Sequence, residues 1–155
     1  MIRVLFVCHG NICRSPMAEF VMKDYVEKIG KSKDFLIESA GTSSEELGNS
    51  VYPPVRKLLA EKGIITEGKI ARKLRKEDYD KYDYIIGMDI ANRRNMYRLF
   101  GDDSENKISL LLEFIGSKDE VDDPWYTGAY ERTYEEVTQG TKAILESIYN
   151  ETFDL

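Results

Sequence analysis

The stretch Val4-Leu5-Phe6-Val7-Cys8-His9-Gly10-Asn11-Ile12-Cys13-Arg14-Ser15-Pro16 decides how the chain is read. Four consecutive apolar residues run into Cys8, and an unbroken apolar run fits a strand buried on both faces, as in a parallel sheet. Pro16 suits the first turn of a helix, and Ser15 is placed to cap it. Strand, short polar loop and helix N-terminus make an anion-binding arrangement, with backbone N–H groups and the helix dipole directed at one point. Five residues lie between Cys8 and Arg14. A loop of that length can curl around a tetrahedral anion, with a thiol at one end and a guanidinium at the other. The planar guanidinium can hold two oxygens. A positive enclosure favours a thiolate, the attacking form of a thiol, and the same donors stabilise a trigonal-bipyramidal transition state. The loop is expected to bind phosphate and to carry Cys8 as a covalent nucleophile.

Outward from this stretch, strands and helices alternate. Residues 2–8 read as the first strand, and Met17, Phe20, Val21, Met22, Tyr25, Val26 and Ile29 recur at helical spacing before Gly30. Residues 35–40 read as a second strand, 41–54 as a polar loop, and Val55, Leu58 and Leu59 as a helix stopping at Gly63. Residues 69–75 show little periodicity, and 76–79 look like a helical turn. Residues 84–88 give a third strand, and 90–100 a helix with Met96, Leu99 and Phe100 on the buried side. Residues 107–111 give a fourth strand with some helix ambiguity, 119–128 a loop, and 130–149 the last helix. This order argues for one α/β domain, residues 1–155, with a parallel sheet and helices on both faces. Ligands of such sheets bind at the carboxyl ends of the strands.

Neighbours of the nucleophile fit supporting roles. Gly10 is expected to supply a positive φ, and Asn11 to occupy the left-handed region and lock the loop with its amide. Ser15 can donate a hydrogen bond to the thiolate. Cys13 is either a redox partner of Cys8 or a residue packed inward. His9, the single histidine, follows the nucleophile directly. Adjacent strand-end side chains diverge, so His9 is expected at the rim or under the loop rather than as the base. One histidine and two cysteines beside an arginine make a poor metal site, and no metal or other cofactor is expected. A leaving alcohol or phenolate needs a proton, and Asp122-Asp123-Pro124-Trp125-Tyr126 is the stretch suited to give it. Asp123 is preferred because Pro124 restricts it, and Trp125 and Tyr126 can wall an aromatic substrate. Asp89 reads as a helix N-cap at a strand end, with a direct role as the alternative.

The chain has 155 residues and a net charge of -6, with 42% hydrophobic and 32% charged residues. That is normal for a globular domain and argues against nucleic acid as a partner. No apolar run approaches the roughly 20 residues of a membrane span, so no membrane association is expected. No signal peptide is read at the N-terminus, and the two cysteines are taken as reduced thiols in the cytoplasm. Tyrosine-rich surroundings of a pocket leave a monomer or a weak homodimer open.

Val7 to Pro16 resembles the signature of the low-molecular-weight protein tyrosine phosphatases. Ser39-Ala40-Gly41-Thr42, Met88-Asp89 with Asn92, and Asp123-Pro124-Trp125-Tyr126-Thr127-Gly128 fall in that family's order. The resemblance implies a doubly wound domain with a four-stranded parallel sheet in the order 2-1-3-4. It implies metal-free hydrolysis of protein phosphotyrosine, and of small aryl phosphates, through a phosphocysteine intermediate, with inorganic phosphate released. By motif position Cys8 is the nucleophile, Arg14 the transition-state clamp and Asp123 the general acid and then base. His9, Gly10, Asn11, Ile12, Cys13 and Ser15 make up the supporting loop. Cys13 matches a second cysteine implicated in oxidation.

Two departures stand out. Members carry a histidine near Ala71-Arg72 that bonds the loop asparagine. The matching place here is Lys69, so Asn11 must be held differently. Members also carry an aromatic residue after the Ser-Ala-Gly-Thr stretch, where this chain has Ser43-Ser44-Glu45-Glu46. Glu45 is therefore expected at the pocket mouth, disfavouring acidic peptides. Arsenate reductases of this fold use further cysteines, and none follows Cys13. Protein-arginine phosphatases tend to have threonine at Ile12, whose bulk here favours the flat phosphotyrosine ring. A non-enzymatic phosphotyrosine-binding module is the alternative from another class, and it is disfavoured because Cys8 and Asp123 are both present.

Overall fold

The computed structural model describes all 155 residues. Four strands, β1 (Ile2–Cys8), β2 (Phe35–Gly41), β3 (Tyr84–Gly87) and β4 (Ile108–Leu110), form one parallel sheet in the order β2-β1-β3-β4. Six helices flank it: α1 (Arg14–Lys28), α2 (Pro53–Glu61), α3 (Asp78–Lys81), α4 (Ile90–Phe100), α5 (Pro124–Thr127) and α6 (Tyr130–Tyr149). The expected single doubly wound α/β architecture is the observed one.

The central strand explains the layering. Side chains of β1 alternate between faces. Val4, Phe6 and Cys8 enter the larger core, with Met17, Val21 and Met22 of α1 and Val137 and Ile144 of α6. Leu5 and Val7 enter the smaller core, with Tyr82, Ile85, Met96 and Ile108. Phe6 has no exposed surface; burying a side chain of that size contributes about 2–3 kcal/mol. Parallel pairing sets Cys8 opposite Gly41 and Val7 opposite Gly87, so the carboxyl ends of β1, β2 and β3 lie together.

Several boundaries differ from the sequence expectation. α1 begins at Arg14, with Cys13 at the cap position, so Ser15 lies inside the first turn and caps nothing. Its hydroxyl is committed elsewhere, as described below. In α4, Asn92 and Met96 are buried, Phe100 is half-buried and Leu99 is exposed. Met96 sets that phase, because its Cε lies where a Cβ on Gly87 would come within 2.8 Å. β4 is short and passes straight into a 3-10 turn over Leu111–Ile115. The loop 119–128 contains the single-turn helix α5, with Pro124 at its first position and the Asp123 carboxylate accepting the Trp125 N–H at 3.0 Å.

Residues 69–75, featureless in the sequence, form a strap. Lys73 bridges Gly41 and Ile70 bridges Ser50. Gly41 and Leu74 exchange further backbone bonds with the strap and β2 end: Gly41 N–H donates to the Arg72 carbonyl, and Leu74 N–H to the Gly41 carbonyl.

Candidate active site

A cavity of about 120 Å³ opens at the carboxyl end of β1, lined by Cys8, Ile12, Arg14, Asp123, Trp125 and Tyr126, among others. Residues 9–13 bend around it without regular structure. Four carbonyls here are engaged: Cys8, His9 and Ile12 accept from the N–H groups of Thr42, Ser43 and Tyr52, and Cys13 accepts from Met17. The N–H groups of residues 9–13 donate no backbone hydrogen bond. With these carbonyls tied outward, the donors are left for an anion, as the spacing predicted.

The thiol of Cys8 is buried, and its Sγ lies 3.0 Å from Ser15 Oγ. Asn11 takes the left-handed conformation at φ 60°, while Gly10 does not have a positive φ. The expectation for Gly10 is thus corrected. Asn11 makes the turn, because its amide is satisfied on every side. Nδ2 donates to Ser15 Oγ at 2.8 Å and to Ser39 Oγ at 3.0 Å, and Oδ1 accepts the Arg72 N–H at 3.0 Å. Ser39 Oγ in turn donates to Glu19 Oε1 at 2.6 Å.

Lys69 does not touch Asn11. Its Nζ donates to the Ser39 carbonyl at 3.0 Å and lies 3.5 Å from Glu19 Oε1. Lys23 completes the neutralisation of the buried Glu19 carboxylate at 2.6 Å. Burial pulls the Lys69 ammonium below its ordinary value despite the opposing pull of Glu19. The asparagine is therefore held by two serines, a backbone N–H and, one bond further out, an ion pair. Glu19 escaped the sequence reading, although its place on the buried stripe with Ser15, Met22 and Val26 was the available signal.

Arg14 is almost fully buried. Its Nη1 donates to Asp89 Oδ2 at 2.7 Å and to the Val121 carbonyl at 2.9 Å, and its Nη2 is 3.6 Å from Asp123 Oδ2. Burial works against the guanidinium charge, but Cys8, Asp89 and Asp123 outweigh it and raise its proton affinity. Asp89 caps α4 as predicted, in a box with Asn92, and its second oxygen fixes Arg14. Cys13 is buried and lines the cavity as a free thiol. Burial first, then the neighbouring Cys8 and Asp123, push it up to about 12.

The rim is exposed. Trp125 is 50% accessible and tilts against Tyr52 at 4.7 Å between ring centres, while Tyr126 is 83% accessible. Tyr52 as the support of Trp125 carried no signal in the sequence. His9 sits at the mouth, as one of its two expected places, with Nε2 3.0 Å from Glu45 Oε2. Glu45 and Glu46 line the same cavity. The residues expected to share one site are thus brought together. No group of three or more His, Cys, Asp or Glu side chains is arranged to hold a metal ion, and no helix is long and apolar enough to cross a membrane.

The model of the family described as low molecular weight phosphotyrosine protein phosphatase matches residues 3–153. The low molecular weight protein-tyrosine-phosphatase YfkJ of Bacillus subtilis is 37% identical over 97% of this chain and 98% of its own length. Its crystal structure superposes with a TM-score of 0.93, covering 99% of this chain and 98% of that one. The low molecular weight phosphotyrosine protein phosphatase of Schizosaccharomyces pombe is 44% identical over 83% of each chain. A crystal structure of a Drosophila arginine phosphatase is also similar, at 30% identity and a TM-score of 0.85, covering 99% of this chain and 100% of that one. A cavity bordered by free N–H groups, closed by a buried thiol and a doubly fastened arginine, agrees with what these likenesses say: the chain belongs to the low molecular weight phosphotyrosine protein phosphatase family.

Proposed function

We propose that Cys8, Arg14 and Asp123 divide between them the hydrolysis of protein phosphotyrosine. The chain is a metal-independent protein-tyrosine phosphatase that works through an active-site cysteine. The assignment of steps to residues is our reading. The Cys8 thiolate attacks phosphorus in line with the phenolic oxygen. The P–O bond to tyrosine breaks as the S–P bond forms, and Asp123 gives its proton to the leaving phenolate. Arg14 and the N–H groups of residues 9–13 hold the three equatorial oxygens, where charge concentrates. Asp123, now ionised, takes a proton from water, which attacks the phosphocysteine. Inorganic phosphate leaves, and Cys8 departs as a thiolate accepting from the Ser15 hydroxyl. Trp125 and Tyr126 flank the aromatic ring.

The observation that carries this reading is the placement of Cys8 Sγ beside Ser15 Oγ at 3.0 Å, in the cavity that the Arg14 and Asp123 side chains share. The partners are phosphotyrosine-bearing proteins or peptides. We place the enzyme in the cytoplasm, a reducing compartment in keeping with two free thiols, as a monomer or weak homodimer that sedimentation would resolve. The deciding experiment is steady-state turnover of matched phosphotyrosine and phosphoarginine peptides by wild type, Cys8→Ser and Asp123→Ala. Rapid phosphotyrosine hydrolysis, lost without Cys8 and slowed about 10²–10⁴-fold without Asp123, is expected. A preference for phosphoarginine would show that buried Ile12 does not select the aryl ring. Tight phosphotyrosine binding without turnover by wild type would overturn the catalytic assignment.

A further inference from the structure

His9 lines two cavities. One is the catalytic cavity; the other, of about 360 Å³, lies beside it between the loop after β2, the strap and α4. Its cationic walls are Lys73 and Arg98, and its floor carries Leu74 and Leu99. No carboxylate lines it, although the chain carries 28 acidic residues against 22 basic ones. Neither Lys73 nor Arg98 forms an ion pair. The only side-chain partner of Arg98 is Asn95 Oδ1 at 3.3 Å, which keeps the guanidinium over the groove. Among their neighbours, Lys69 and Arg72 turn inward to Glu19 and Asp78, and Arg93 pairs with Glu113. Leu99, turned outward by the fit of Met96 over Gly87, supplies part of this floor.

We infer that this groove is a subsite for an anionic group of the substrate, one or two residues from the phosphotyrosine on the His9 side. The inference rests on the phosphatase reading above. Two exposed cations without counter-ions attract a negative group, and the apolar floor accepts its methylenes. Because His9 belongs to both cavities, an extended peptide advancing about 3.3 Å per residue reaches the groove with its next side chains. The mouth is then two-sided. Glu45, as the sequence implied, and Glu46 repel anions at the catalytic opening, while Lys73 and Arg98 attract them beyond His9. Such a surface reads the direction of the peptide as well as its charge. A glutamate or aspartate and a second phosphate share the required chemistry.

The test is kcat/KM on four phosphotyrosine peptides: one with alanine flanks, one with glutamates on the N-terminal side, one with glutamates on the C-terminal side, and one with a second phosphate on the preferred side. Wild type and the Lys73→Ser, Arg98→Ser double variant are compared, with para-nitrophenyl phosphate as a substrate too small to reach the groove. Wild type is expected to prefer glutamates on one flank by about three- to ten-fold through KM. The double variant should lose that preference and keep its rate on the alanine peptide and on para-nitrophenyl phosphate. A larger preference for the second phosphate assigns the groove to doubly phosphorylated sequences; an equal one assigns it to carboxylates. Equal rates on both flanks in wild type, or a preference that survives in the double variant, would overturn the subsite. Failure of the phosphatase reading looks different, since wild type would then turn over neither the peptides nor para-nitrophenyl phosphate.

Discussion

Asn11, Arg14 and Ser15 are buried, and every one of their polar groups that faces protein has a partner, whereas Trp125 and Tyr126 stand open to solvent. The two regions border one cavity under opposite rules. The nucleophile loop is fastened from β2, the strap, α4 and the segment before α5, so its geometry is fixed before a ligand arrives. The rim is fastened by one turn of helix and one ring contact. The difference separates chemistry, which needs placement to a fraction of an ångström, from selection, which tolerates adjustment.

The sharpest break in that comparison is Arg14→Lys. A point charge cannot meet Asp89, Val121 and two phosphoryl oxygens at once, so kcat should fall about 10²–10³-fold with the far-ultraviolet circular dichroism unchanged. A fall in affinity alone would show that Arg14 binds without stabilising the transition state. Next is Gly41→Ala. The new Cβ would sit 2.8 Å from the His9 carbonyl oxygen and 3.2 Å from the Gly10 carbonyl carbon, and this backbone has no room to give. A loss of about 1–3 kcal/mol by denaturant titration is expected, with a drop in kcat from the displaced loop. Wild-type stability and rate would mean the loop is more compliant than its bonding indicates.

Lys69→Met tests the outermost fastening. Glu19 would keep Lys23 and lose its more buried cation, for about 1–2 kcal/mol and a few-fold fall in kcat passed on through Ser39 and Asn11. An unchanged kcat at lowered stability would cut the ion pair out of the site's machinery. On the open side, Tyr126→Ala should raise KM for phosphotyrosine peptides about two- to ten-fold and leave kcat nearly intact; equal losses in kcat would place the rim among the rigid elements.

Asp103, far from the cavity, supplies a control in pH. Burial raises its carboxyl, but hydrogen bonds from the Tyr79 hydroxyl and the Ile108 and Lys107 N–H groups outweigh that and lower it below 3.8. The folded form binds that proton less readily than the unfolded form. Its stabilisation is therefore present above about pH 4 and lost as pH falls through the folded value. Asp103→Asn should flatten the acid limb of stability against pH without changing kcat at neutral pH, as urea titrations at several pH values would reveal.

The strand and helix order was legible because β1 is apolar on both faces and α1 and α6 carry apolar stripes at helical spacing. The site's reactive members were legible because Cys8 and Arg14 share one short loop and Asp123 precedes a proline. What stayed hidden depends on contacts across the chain. Asp89 meets Arg14 over 75 residues, and Asn11 is met by Arg72 through a backbone N–H that any residue but proline supplies. Residue type alone predicts the positive φ at Gly10, where the side-chain hydrogen bonds of Asn11 decide it. Spacing alone predicts Leu99 in the core, where the fit of Met96 over Gly87 turns it outward.

The fastening of Arg14 ties activity to the order in which the chain becomes structured. The nucleophile and the arginine lie within the first 15 residues, yet the groups that hold the arginine come from Asp89 and Val121, and the proposed acid from Asp123. A chain emerging from synthesis has its thiol early and its clamp late. Until the fourth strand has added to the sheet and the segment behind it has crossed the strand ends, Arg14 can have Asp89 alone and lacks the Val121 carbonyl and Asp123. Turnover is then a report on completed folding, and a chain cut short before Val121 would be unable to dephosphorylate proteins it met while still being made.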